Sequence, residues 1–107
     1  MNKIYNYLGL AQRAGRIASG EQAVGGSLAR RKVHLVLIAV DASDNTRSRF
    51  MSLARRHGAE YEIFGEKSLL GHAIGKSPRA VVGILDRNFA NVIQTQIEGS
   101  VQENNKE

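Results

Sequence analysis

The sequence predicts an α/β fold, a three-layer α/β/α sandwich built on a mixed, roughly four-stranded sheet. Three observations predict it. The apolar runs Leu35 to Val40 and Ala80 to Leu85 are too short to cross a membrane and are bounded by turn residues, the pattern of buried strands. Segments with helical spacing of apolar residues separate the strand candidates. The resulting order is α-β-α-β-α-β-α-β-α, and strands that alternate with helices imply a mostly parallel or mixed sheet covered on both faces.

The first helix is capped by Asn2, carries Ile4, Tyr7, Leu8, Ala11 and Ala14 on one face, and stops at Gly15. Arg16 to Ala18 is long enough only for a small strand. Ser19 and Gln22 have the S-x-x-Q spacing of a capping box, which starts a second helix. Glu21 falls in its first turn, and Arg30, Arg31 and Lys32 in its last, each sign where the helix dipole favours it. Gly25 and Gly26 interrupt this helix at about 1 kcal/mol each relative to alanine, which predicts another element packed closely against them, or a partner's backbone approaching there. After the Leu35 strand, Ala42 to Asn45 is turn and cap chemistry, with Asp41 a turn former and Asp44 a helix cap. A third helix follows with Phe50, Leu53, Ala54 and His57 inward, ending at Gly58. Tyr61 and Ile63 alternate with Glu60 and Glu62 as a strand with one wet face. Ser68 is expected to cap a short helix that Gly75 ends, and Asn88 to cap a last helix with Phe89, Val92, Ile93 and Ile97 inward. The chain thus divides into one domain over residues 1–97 and a polar tail over 98–107 expected to be disordered.

The absence of cysteine rules out disulfides and thiolate metal sites and fits a reducing, cytoplasmic setting. No signal peptide or membrane-spanning stretch is expected. Formal net charge is +5 with a pI near 10.0. The tail is acidic, so residues 1–97 hold 14 basic and 7 acidic groups, a net of +7. Such a body attracts polyanions at long range and through counterion release.

Enzyme signatures fail one by one. Gly71 to Ser77 is one residue short of a phosphate-binding G-x-x-x-x-G-K-S loop and ends a helix instead of opening one. His34, His57 and His72 lack ligand spacing, and Ser19, Ser43 and Ser77 lack a nucleophile elbow. No catalysis, metal or cofactor is expected. The basic groups remain. If the loop before the second helix and the loop before the last strand lie at one end of the sandwich, Arg16, the Ser19 to Gln22 turn, Lys67 and Lys76 to Arg79 gather there. A helix N-terminus ringed by bases suits phosphate and base-edge contacts.

The pieces LGLAQRAGRIASGE (Leu8 to Glu21), KVHLVLIAVDAS (Lys32 to Ser43), KSLLGHAIGK (Lys67 to Lys76) and VVGILDRNFA (to Ala90), in this order, resemble the kink-turn RNA-binding ribosomal protein family of the L7Ae and L30e type, and within it the small bacterial YlxQ-like branch. The resemblance implies that the N-terminus of the second helix reads tandem sheared G·A pairs in a bent RNA, and that the loop before the last strand covers a flipped-out nucleotide. The family's pattern at the helix is approximately G-x-N-E-x-x-K. By position, Gly20 keeps the glycine, Gln22 stands in place of asparagine, Ala23 in place of glutamate and Gly26 in place of lysine. Each good bidentate base contact is worth about 1–3 kcal/mol, so these replacements weaken sequence reading more than backbone attraction.

The sequence therefore predicts a non-enzymatic protein that binds structured, kink-turn-like RNA (ribosomal RNA or mRNA) alongside ribosomal or translation proteins. The residues expected at the RNA are Arg16, Gly20, Glu21, Gln22, Gly26, Arg30, Lys67, Lys76, Ser77 and Arg79. The alternative is a protein–protein adaptor that keeps the fold and has lost the specific RNA site.

Overall fold

Among the described residues, nine elements follow in the expected order. They are α1 (Lys3–Arg13), β1 (Ile17–Ser19), α2 (Glu21–Ala29), β2 (Leu35–Ile38), α3 (Asp44–Arg56), β3 (Glu60–Ile63), α4 (Lys67–Ala73), β4 (Val81–Ile84) and α5 (Arg87–Asn105). The structure, a computed structural model, describes residues 2–105, with side chains through Gly99. The sheet order is β1-β4-β2-β3; β2 and β3 are parallel, and β4 is antiparallel to both β1 and β2. The sheet is therefore mixed, as predicted. The two central strands, β2 and β4, are buried at every position, as strands covered on both faces must be. Helices α1, α4 and α5 form one layer, and α2 and α3 the other.

The core joins both layers to the sheet. Ile4 and Leu8 of α1, Val24 and Leu28 of α2, Phe50 of α3 and Ile93 of α5 are each at most 2% exposed. Burying one such side chain contributes about 1.5–3 kcal/mol. Asn2 caps α1 as predicted, its Oδ1 accepting from the Ile4 amide at 2.8 Å. Among the described residues, no helix is long and apolar enough to cross a membrane.

Several local expectations are corrected. Ser19 belongs to β1, and the cap of α2 is Gly20, with no side-chain hydrogen bond, so the capping box does not form. The reason is strand pairing from far along the chain: Ser19 is held in β1 opposite Val82, one residue before the cap position, and its hydroxyl accepts from Nε of Arg79 at 3.2 Å. Arg30 to Lys32 lie beyond the last turn of α2. Gly25 would meet nothing within 4 Å if given a Cβ, and Gly26 only Arg30, so no element of the described chain packs against this face. Val40 is 51% exposed because β2 ends at Ile38. Ser43 caps α3 through the Thr46 amide, while Asp44 stands in the first turn, paired with Arg47. On β3, an edge strand, Glu60 is exposed and Tyr61 half-buried as predicted, but Ile63 is exposed and Glu62 half-buried.

Helices α4 and α5 are each capped differently from expectation. Ser68 lies inside α4, whose Lys67 amide donates to Asp41 Oδ1 at 2.9 Å from the β2–α3 connection. Asp86, not Asn88, caps α5, accepting from the Phe89 amide at 2.9 Å. Helix α5 runs on to Asn105, past Ile97, the last buried position among the described side chains. The tail expected over 98–107 falls largely outside the residues whose side chains are described.

Candidate nucleic-acid interface

The antiparallel register of β1 and β4 determines what lies beside the start of α2. Ser19 pairs with Val82, and the Gly20 amide donates to the Val81 carbonyl at 3.0 Å. The chain entering β4 therefore passes directly beneath the turn that opens α2. That chain is the loop Gly75 to Ala80, and it is folded back on α4. The Lys76 amide donates to the Gly71 carbonyl at 2.8 Å and the Arg79 amide to the Lys67 carbonyl at 3.0 Å. Gly71 is required at this crossing, because a Cβ there would run into the carbonyl of Ser77. The run from Lys67 to Gly71 thus places Lys67 and the loop together by close backbone contact.

The outcome is an open groove of about 800 Å³ lined by Ser19, Gly20, Glu21, Gln22, Ala23, Lys67, Pro78, Arg79 and Ala80. Gly20 opens it with φ 90° and ψ 158°, a conformation that side chains with a Cβ avoid. A Cβ there would also touch Cδ and Nε of Arg79 at 4.0 Å. With no side chain over the helix end, the amides of Glu21, Gln22 and Ala23 make no hydrogen bond among the described residues. They carry the positive end of the α2 dipole into the groove.

Arg79 is held over this helix end. Nε donates to Ser19, and Nη1 donates to the Ser77 hydroxyl at 2.7 Å, the Ser77 carbonyl at 3.2 Å and the Pro78 carbonyl at 3.3 Å. These acceptors are neutral and offset none of the guanidinium charge, and Nη2 makes no hydrogen bond among the described residues. Lys67 is half-buried on the other wall, and no carboxylate among the described residues pairs with it or with Arg79. Gln22 is exposed between them.

The remaining predicted site residues divide. Ser77 serves the groove by holding Arg79, whereas Lys76 is exposed in the loop outside the lining. Glu21 is engaged with α3, accepting from Thr46 Oγ1 at 3.1 Å and Arg49 Nη1 at 3.3 Å. Its charge is thereby offset at the edge of the groove. Gly26 lies further along α2. Arg16 and Arg30 are not at the groove. The Arg16 carbonyl accepts from the Leu85 amide, at the end of β4 remote from Val81, and Arg30 caps the far end of α2. The expected single basic face is therefore two faces, because β1 carries the chain from Arg16 to the groove and α2 carries it away again to Arg30.

Sequence reading missed three features. The clasp of Arg79 by Ser19 and Ser77 joins residues 60 apart and has no local signature. Asp41 as the cap of α4 is equally non-local. A second groove, about 490 Å³, lies between α1 and α4, with Leu10 and Leu69 each 45% exposed, and Tyr5, Arg13 and His72 among its walls. Its only sequence signal is that Leu10 and Leu69 fall outside the inward positions of their helices. Among the described residues, no group of three His, Asp or Glu side chains could hold a metal.

Known proteins are similar to this chain in sequence and in fold. RNA-binding protein YlxQ of Bacillus subtilis (strain 168) is 37% identical over 84 residues, covering 78% of this chain and 84% of that protein. RNA-binding protein YlxQ of Enterococcus faecium is 36% identical over 98 residues, covering 91% and 93%. A solved structure of a protein with unknown function from Bacillus halodurans C superposes with a TM-score of 0.88 at 30% identity, over 92% of this chain and 99% of that one. The Giardia lamblia 15.5kD RNA binding protein superposes with a TM-score of 0.73 at 26% identity, over 92% and 84%. The match to a family model spans residues 2–94, which is nearly the whole described body. The chain belongs to the ribosomal protein L7Ae/L30e/S12e/Gadd45 family.

Proposed function

We propose that this chain binds structured RNA of the kink-turn type in its groove, without catalysis, as a ribosome- or translation-associated protein of the cytoplasm. The observation that carries the reading is the uncapped start of α2 set between Lys67 and the clasped Arg79. The relatives named as RNA-binding proteins support the ligand class.

Each part has a chemical role. The free amides of the first turn and the two cations meet phosphate oxygens, where charge-assisted hydrogen bonds are strongest. The Gln22 amide both donates and accepts, and so can pair with a base edge exposed in a bent, unstacked segment. Gly20 leaves room for that segment to approach the backbone. Ala23 and Gly26 offer no hydrogen bond, so recognition rests on shape and backbone more than on base identity.

The test is a comparison of a kink-turn RNA with a plain duplex of equal length, at several salt concentrations. The wild type prefers the kink-turn; Gln22→Ala reduces the preference, and Lys67→Ala weakens binding to both and shallows the salt dependence. Equal affinity for the two RNAs would sink the kink-turn reading. The adaptor reading has one observation in its favour, the apolar groove between α1 and α4. Nuclease-insensitive capture of a protein partner, lost on Leu10→Asp, together with no RNA binding at low salt, would establish it instead.

A further inference from the structure

The end of the sandwich opposite the groove is the more basic of the two. Strand register brings it together: the start of β1 pairs with the end of β4, which pairs with the start of β2, which pairs with the start of β3. Arg16 precedes β1, Arg30, Arg31 and Lys32 follow α2, and Arg55 and Arg56 end α3, so all six arrive at this one end. All six are exposed, and among the described residues none makes a salt bridge. The two acidic residues nearest in register are Asp86, which caps α5, and Glu60, which accepts from Gln94. The groove end differs. There Lys67, Lys76, Arg79, Arg47 and Arg49 stand among Glu21, Asp41, Asp44 and Glu66, and both salt bridges of the described residues lie on that side.

Two details show that this is a fixed surface. Arg31 reaches across to the end of α3, its Nη1 lying 3.5 Å from where a Cβ of Gly58 would be. Arg55 lies over the Tyr61 ring at 5.7 Å and donates to its hydroxyl at 3.1 Å. A third detail is that the chain keeps an arginine where its own pattern calls for glycine. Helices α1, α3 and α4 each end with a left-handed glycine: Gly15, Gly58 and Gly75. Helix α2 ends with the same pair of backbone hydrogen bonds, yet Arg31 occupies that position at φ 56°. A strained residue maintained at a surface concentrates charge there at the expense of the fold.

We propose that this end is a second phosphate-binding face, which grips the backbone of a helix flanking the segment held in the groove. The proposal rests on the reading of the chain as an RNA-binding protein. Six unpaired cations within one end repel each other in the free protein, and an RNA backbone relieves that repulsion while releasing its counterions. The contact carries no sequence information, because guanidinium and ammonium groups meet phosphates without reading bases. The protein would then bridge two stretches of one RNA and stabilise the bend between them from both sides.

The test uses the full chain and the triple variant Arg16→Gln, Arg30→Gln, Lys32→Gln; none of these side chains makes a hydrogen bond or salt bridge among the described residues. Affinity is measured against salt for two kink-turn RNAs, one with a long flanking helix and one trimmed to the bend. A duplex gives a slope near 0.9 per phosphate contacted. The triple variant is expected to lose about two to three units of slope on the long RNA and none on the trimmed one. The groove variant Gln22→Ala is expected to lose kink-turn preference while keeping the slope difference between the two RNAs. Equal slopes for triple variant and wild type on the long RNA would overturn the second face and leave the groove reading intact. Loss of binding to both RNAs in proportion would also overturn it, since the six cations would then act only through net charge. Unchanged RNA slopes with lost retention on immobilised polyglutamate would overturn it in favour of an acidic protein partner.

Discussion

Gly20 and Arg79 meet across the groove, and each explains the other. The glycine caps α2 without a side chain and leaves the helix end bare, and the arginine is held over that end by the Ser19 hydroxyl. The importance of Gly20 was legible in the sequence, through the family pattern. Its geometry was not, because a capping box is a local motif, whereas Ser19 is held by pairing with Val82 and by a donor, Arg79, 60 residues away. Arg31 gives the clearest test at this scale. A non-glycine residue held in the left-handed region costs about 1–2 kcal/mol, partly offset by the greater unfolded-state freedom of glycine. Arg31→Gly is expected to raise the thermal midpoint in a calorimetric scan while lowering the salt slope of RNA binding by about one. A lowered midpoint would mean that the Arg31 contact with the end of α3 outweighs the strain.

Elements follow from periodicity, and most were legible: the nine helices and strands of the described residues, their order and the two fully buried strands β2 and β4 all come from spacing and turn residues. What failed was detail at edges and ends. Strand β3 was given a dry face at Ile63, yet as an edge strand it leaves Ile63 exposed and turns Glu62 under α5, where Gln94 donates to it at 3.2 Å. Burial raises the Glu62 pKa above its ordinary value of 4.5, and Glu98 and Glu60 push it the same way, against the Gln94 hydrogen bond. A carboxyl whose pKa is raised in the fold binds its proton more tightly there than in the unfolded chain. Stability is therefore fullest below the unfolded pKa and declines as pH rises through the folded one. Glu62→Gln is expected to flatten that decline and to stabilise the protein at pH 7 but not at pH 4, by denaturant midpoints at both. Identical midpoint shifts at the two values would contradict the assignment. Helix α2 yields a second test. Nothing covers Gly25, so Gly25→Ala is expected to add about 1 kcal/mol, worth roughly 4–8 °C in midpoint. It is also expected to weaken RNA binding, because a bare helix surface admits a partner's backbone more closely. A fall in midpoint would show that the position is packed.

The whole molecule is a sandwich whose two ends differ in charge, and no composition figure could have revealed this. A net of +7 over residues 1–97 says only that a polyanion is attracted; the strand register decides that Arg16 and Arg30 stand apart from Lys67 and Arg79. The convergence of Gly20, Gln22, Lys67 and Arg79 depends on one backbone crossing, Gly71 against Ser77, and on β1 being antiparallel to β4. Topological reasoning anticipated that these two loops share an end, but it could not say which further loops do. The central claim is that the uncapped start of α2 and the loop before β4 form the RNA site. Its most direct test is a titration of isotope-labelled protein with a trimmed kink-turn RNA, followed amide by amide. The amides of Gly20 to Ala23, Lys67 and Arg79 are expected to shift first and furthest, in saturable binding. Shifts confined to Leu10, Leu69 and their neighbours between α1 and α4, or no shifts at low salt, would contradict it.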